Sequence, residues 1–169
     1  MNKIPSLNLQ DFVSGNSAKQ QQFIVDLGRA FEEIGFVAIS GHYLNEALID
    51  ELYTQIKAFF DLPEDIKKKY EIKGLGGQRG YTSFGKEHAK GKKEADLKEF
   101  WHFGQYAEVP EILKPHYPPN VLVEELPAFN EVGENVFKAL EKTAMALLRA
   151  ISLHLGLDQH YFDGFVASG

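Results

Sequence analysis

Gly80, Gly85 and Lys86 stand at the spacing of the phosphate-binding pattern G-x-x-x-x-G-K-[ST], with Glu87 in place of the hydroxyl. Such a loop works when an apolar strand leads into it and a helix follows, so that backbone N–H groups and the helix N-terminus converge on the phosphates. Here EIKGLGGQR precedes and HAKGKKEADLK follows, and neither flank is apolar. Glu87 also sets a repelling carboxylate where a Mg²⁺-binding hydroxyl belongs. The nucleotide reading is set aside.

Histidine with carboxylates is the usual metal set in a chain without thiolates. The six histidines are His42, His88, His102, His116, His154 and His160, and none forms H-x-x-x-H, H-x-D or H-x-E. His160 and Asp163 make H-x-x-D, a spacing that suits a helix-end hydrogen bond. His154 reads as a packing residue. With no cysteine, disulfides and thiolate chemistry are excluded, and no G-x-S-x-G nucleophile motif occurs. No catalytic residue and no metal ligand is assigned.

One constellation remains. Arg79, Tyr81, Phe84, Lys86, Lys98, Trp101 and His102 bring positive charge and aromatic surface together in sequence. Arginine offers a bidentate fork for a carboxylate and the rings offer stacking area, so the group could clamp a carboxylate-bearing small molecule. Ordinary core packing of Phe84 and Trp101 with solvated charges explains the same pattern, and on residue chemistry alone it is the heavier reading.

Those residues need elements to hold them. IPSLNL (4–9) predicts a short strand with Leu7 and Leu9 inward, near an edge because of Pro5. Ser17 and Gln20 predict a capping box for a helix whose inner face is Phe23, Leu27, Phe31 and Ile34, ended by Gly35. FVAIS (36–40) predicts a buried strand. A second helix spans about 45–60 with Leu48, Leu52, Ile56 and Phe59 inward, and LPEDIKKKY starts another at Pro63. Residues 73–96 carry six glycines and almost no aliphatics, which predicts a long functional loop. LKEFWHFG (97–104) reads as a strand with aromatics on both faces, and the longest helix runs from about Pro127 toward Gly156.

At 169 residues and 44% hydrophobic content the chain suits one folded domain. A formal charge of -6 argues against a duplex nucleic-acid partner. No run approaches a membrane span and MNKIPSLNLQ lacks a signal-peptide layout, so a cytoplasmic location is the default.

In order along the chain, IPSLNLQDF, LGRAFEEIGFVAISGH, FFDLPEDIKKKY, GGQRGYTSFGKE, DLKEFWHFG and LGLDQHYF resemble the N-terminal region of the isopenicillin N synthase-like family. These are non-haem iron(II) oxygenases, most of them 2-oxoglutarate-dependent. The resemblance implies an α+β region, helices and a few strands that flank a double-stranded β-helix (jelly-roll) core mostly missing from this chain. It implies that residues 1–169 are the N-terminal part of such an enzyme, acting on a small molecule. The chain has no H-x-D pair and no R-x-S, so Fe(II) and 2-oxoglutarate are implied for the complete protein and neither is expected on this fragment, which would be inactive. By the same resemblance Arg79, Tyr81, Phe84, Lys98 and Trp101 would bind substrate. His42-Tyr43-Leu44 and Asn120-Val121-Leu122-Val123 depart from the family's His-Gly-Ile and Asn-Val-Trp-Pro. The implied partner is the absent C-terminal barrel, without which the fragment would self-associate or pair strands 36–40 and 97–103 under the long helix. The alternative is a stand-alone, non-catalytic ligand-binding or protein-interaction module.

Overall fold

The computed structural model describes residues 3–88, 90, 91, 94–106, 110–112 and 114–167. In chain order the elements are β1 (Ser6–Asn8), α1 (Leu9–Val13), α2 (Ser17–Glu33), β2 (Ala38–Ser40), α3 (Glu46–Phe60), α4 (Glu64–Lys67), β3 (Gly80–Thr82), β4 (Phe100–His102), α5 (Pro127–His154) and α6 (Asp163–Val166), with 3-10 turns at Lys68–Tyr70 and Lys114–His116. Helices with a few short strands match the expected mixture. Two units divide the chain, Met1–Asn45 with Ala139–Gly169, and Glu46–Lys138. Helix α5 therefore gives its first turns to the second unit and its remainder to the first.

In the first unit β1 and β2 pair in parallel, Leu7 opposite Ile39. The helix α2 starts one residue earlier than the capping-box reading, because Asn16, not Ser17, is the cap. Its backbone is extended and its side-chain oxygen accepts from Lys19 N–H at 3.1 Å. An asparagine in that conformation reaches the third helical N–H as well as a serine does. Gly35 ends the helix as expected, at φ +79°, donating to the Ala30 carbonyl. Leu9, Phe12, Phe23, Ile24 and Leu27 pack with Ala146 and Ala150 of α5.

Two expectations fail here. Segment 36–40 is not a buried strand: β2 covers only its last three residues, Ile39 is half-buried, and Phe36 is 69% exposed. Nor do 36–40 and 97–103 pair, since β2 lies against β1 and β4 against β3 in separate two-stranded sheets. A sheet of two strands covers only alternate residues, so an apolar run need not be buried on both faces.

The second unit is aromatic. Phe59, the buried residue of α3, stacks on Phe129 at 5.0 Å between centroids, and Trp101 meets both rings edge-on. Tyr70, Tyr81 and Val123 complete the buried cluster. Leu48, Leu52 and Ile56 share the half-buried face of α3, as its spacing predicts.

Candidate functional site

Strands β3 and β4 form an antiparallel pair with Gly80 opposite His102, Tyr81 opposite Trp101 and Thr82 opposite Phe100. The segment predicted as one long loop therefore contains a strand. Its apolar content is too low to reveal it, since Tyr81 is the one large ring in Gly80–Thr82. Gly80 is required by geometry: φ is +73° and a Cβ would lie 2.5 Å from the Tyr70 carbonyl oxygen.

Tyr81 points into the aromatic core and its hydroxyl donates to Glu99. Burial, then that bond and the negative charge of Glu99, push the Tyr81 hydroxyl well above the usual phenol range. Glu99 also accepts from Lys67 Nζ at 2.8 Å and 3.1 Å, and Lys67 donates as well to the Phe60 carbonyl at 3.2 Å. The ammonium lies 5.6 Å from the Tyr81 ring centroid. One buried charge pair thus ties the end of α4 to the entry of β4 and fixes Tyr81 between them.

Arg79, just before β3, has a different environment. Its guanidinium lies over Gly104, where a Cβ would come within 2.0 Å of Cζ. Its Nη1 donates to the Gln78 carbonyl at 2.7 Å, while its buried Nε has no partner. No carboxylate pairs with it among the described residues. Gly104 is itself gripped by Asn120, whose carboxamide accepts from its N–H at 2.6 Å and donates to its carbonyl at 2.9 Å. Asn120 therefore acts like a short strand edge, holding open the space the guanidinium occupies.

The other expected site residues diverge. Trp101 is half-buried in the aromatic cluster, with Nε1 buried and unpartnered. Phe84 is 55% exposed. Lys98 is exposed, pairs with Glu87 and Asp96, and is raised in pKa first by its bond to Glu87. Tyr81 and Trp101 thus face each other across the strands, with Arg79 two residues before Tyr81. Among the described residues no hydrogen bond or ring contact joins Phe84 or Lys98 to Arg79.

A cavity of about 370 Å³ lies between residues 71–77 and the strand pair, lined by Glu71, Gly76, Gly77, Tyr81, Thr82 and Lys86 among others. Thr82 Oγ1 is buried without a hydrogen-bond partner. On the rim, burial opposes the charge of Glu71, but bonds from Lys86 and Ser83 outweigh it and hold its carboxyl low. Sequence reasoning missed Lys67, Glu99 and Asn120. A lysine in a basic run and a carboxylate in an alternating strand carry no local signal that they will meet.

A family model described as "non-haem dioxygenase in morphine synthesis N-terminal" matches residues 4–125. The chain belongs to this non-haem dioxygenase family. Among its relatives are the 2-oxoglutarate-dependent dioxygenase frbA of Dothideomycetidae sp. (strain 11243), 30% identical over 91% of this chain and 48% of the relative, and the proline hydroxylase buaE of Petromyces alliaceus, 28% identical over 95% and 50%. A 2OG-Fe(II) oxygenase family protein from Caulobacter crescentus is similar in structure, with TM-score 0.82, 34% identity, and 96% of this chain matched to 52% of that one. A Neurospora crassa protein in complex with alpha-KG and thymine shares the fold at TM-score 0.79 and 22% identity, with 96% of this chain matched to 53% of that one. The chain spans about half the length of the curated relatives it matches. Membership of this family implies iron. Among the described residues no group of three or more His, Asp or Glu could hold a metal ion, so these residues do not furnish an iron site. No helix among them is long and apolar enough to cross a membrane.

Proposed function

We propose that these residues form the substrate-flanking part of an iron(II)- and 2-oxoglutarate-dependent dioxygenase acting on a small molecule. The iron ligands and the jelly-roll barrel are supplied by chain outside them, and the 169 residues alone are inactive. The observation that carries the reading is the family match over residues 4–125 in a chain about half as long as its relatives.

Arg79 is the residue of this chain assigned to the substrate. A guanidinium held by Gly104 and lacking a carboxylate partner is prepared for an anionic group. A relative named for proline hydroxylation points to a substrate that carries a carboxylate. Tyr81 and Trp101 set the backbone from which Arg79 projects. No step of the oxidation is assigned to the described residues.

In the complete enzyme, Arg79→Met is expected to raise KM for the substrate about 10- to 100-fold, the loss of a charge-assisted bond, with bound iron unchanged and partial recovery in Arg79→Lys. An unchanged KM, or loss of iron, would overturn the assignment. The 169 residues given Fe(II), 2-oxoglutarate and ascorbate should form no succinate; sustained succinate release would refute the placement of the iron ligands.

A further inference from the structure

A second cavity, of about 470 Å³, lies wholly within the first unit and shares no lining residue with the strand-pair site. Its volume falls in the range that holds a small organic ligand. The chain as a whole is acidic, with 24 Asp and Glu against 18 Lys and Arg, yet among the described residues no Asp or Glu lines this cavity. Lys142 and Arg149 of α5 do, with the carboxamides of Gln20 and Gln159.

The two cations are not equivalent. Arg149 is engaged by Asp163, through Nε at 3.2 Å and Nη2 at 2.8 Å, and His160 bonds the same carboxylate at 2.8 Å. Lys142 has no carboxylate partner among the described residues; its ammonium rests 4.0 Å from the centroid of the Tyr43 ring. A cation on a ring face keeps its N–H donors for another acceptor. Neither Gln20 nor Gln159 has a side-chain hydrogen bond among the described residues. With Asp163 bound to Arg149, one net positive charge and two free amides remain in the lining, and Phe12, Met145 and Ala146 make much of the rest of the wall apolar.

We infer that this cavity binds a small monocarboxylate with an aromatic or branched apolar body, its carboxylate on Lys142 and its body between Tyr43 and Met145. Charge and shape select together. The acid without the apolar body lacks contact area, and the body without the charge leaves Lys142 paired only with a ring. Binding here does not depend on any oxidation by the complete protein.

The test titrates the 169-residue chain with phenylacetate up to about 10 mM, observing backbone amide and methionine methyl resonances. Saturable shifts are expected at Tyr43, Met145 and Ala146. 2-Phenylethanol, the same body without the carboxylate, should bind at least tenfold more weakly, and acetate should give no saturation. Lys142→Glu should weaken phenylacetate at least tenfold while Lys142→Arg stays within about threefold; both changes are at an exposed side chain, so the amide spectrum should otherwise persist. Absence of saturable shifts, equal binding of phenylethanol, or indifference to Lys142→Glu would each overturn the site. Gln159→Leu supplies a second variant, expected to weaken phenylacetate several-fold and to leave phenylethanol unchanged.

Discussion

The first unit packs around small residues and the second around rings, and both are tied by polar bonds between residues far apart in sequence. In the first, Ala146 and Ala150 let α5 approach Leu9, Phe12 and Phe23 closely; the caps at Asn8 and Asn16 are local, while Gln10 reaches the Gly41 carbonyl and Tyr43 N–H donates to Thr143 Oγ1. In the second, Phe59 is surrounded by Tyr70, Tyr81, Trp101 and Phe129, and Lys67 crosses 32 residues of sequence to reach Glu99. Among the described residues, three of the four buried side-chain polar atoms without a partner, Arg79 Nε, Thr82 Oγ1 and Trp101 Nε1, sit on or beside the β3–β4 pair; the fourth is His42 Nδ1. Unsatisfied polar atoms cost stability and persist where another requirement holds them. The contrast separates a unit made for packing from one that spends packing to present groups.

Removing the charge pair breaks this comparison most severely. Lys67→Met leaves Glu99 half-sheltered without its cation and should cost about 3 kcal/mol, the low end for buried pairs because both side chains keep some solvent contact, 10% and 17%. Combining it with Glu99→Leu should recover part of that loss, since an apolar pair of similar size needs no partner but the buried Tyr81 hydroxyl loses its acceptor. Denaturant unfolding of the single and double variants gives the coupling directly. If the double variant is no more stable than Lys67→Met, the pair is not what joins α4 to β4.

Legibility in the sequence follows the distance between partners, in both units. Helices α2, α3 and α5 can be read because their apolar spacing and end signals lie within a few residues of one another: Gly35 ends the first and Pro127 opens the last. The H-x-x-D of His160 and Asp163 is likewise local, and it is the helix-end bond expected. The misreadings arise where partners are distant. FVAIS has the composition of a buried strand, but exposure depends on how many strands flank it. Gly80–Thr82 has almost no strand composition, and becomes a strand because Phe100–His102 lies opposite. Arg79 is visible as a candidate from its residue type, whereas Gly104 and Asn120, which hold it, are 25 and 41 positions away. The family order of motifs carries what chemistry and spacing do not.

The cap of α2 carries a smaller share of the first unit's stability. Asn16→Ala removes the acceptor of Lys19 N–H and should cost about 1 kcal/mol, while Ser17→Ala, at a helical position with no capping role, should cost a few tenths at most. Equal losses would return the cap to Ser17. Amide exchange at Lys19 reads the same difference locally.

A small effect is expected at Asp163, which is bonded by both Arg149 and His160 within the first unit. Bonds from Arg149 and then His160 hold its carboxyl at about 2, against an ordinary value of 3.8, although desolvation opposes them. A carboxyl depressed in the folded chain favours folding above the unfolded value and loses that contribution as pH falls from about 4 through 2. The tie between α5 and α6 should therefore be intact from neutral pH down to about pH 4 and loosen only as pH approaches about 2, while its contribution to stability declines over that interval. A carboxyl titration by NMR should find the midpoint near 2 in the parent chain and closer to 3.8 in Arg149→Met, where only His160 remains. A parent midpoint near 3.8 would mean that Arg149 is not held by Asp163. It would then face the second cavity as a free cation beside Lys142, and phenylacetate should bind there with less dependence on Lys142 than a single free charge requires.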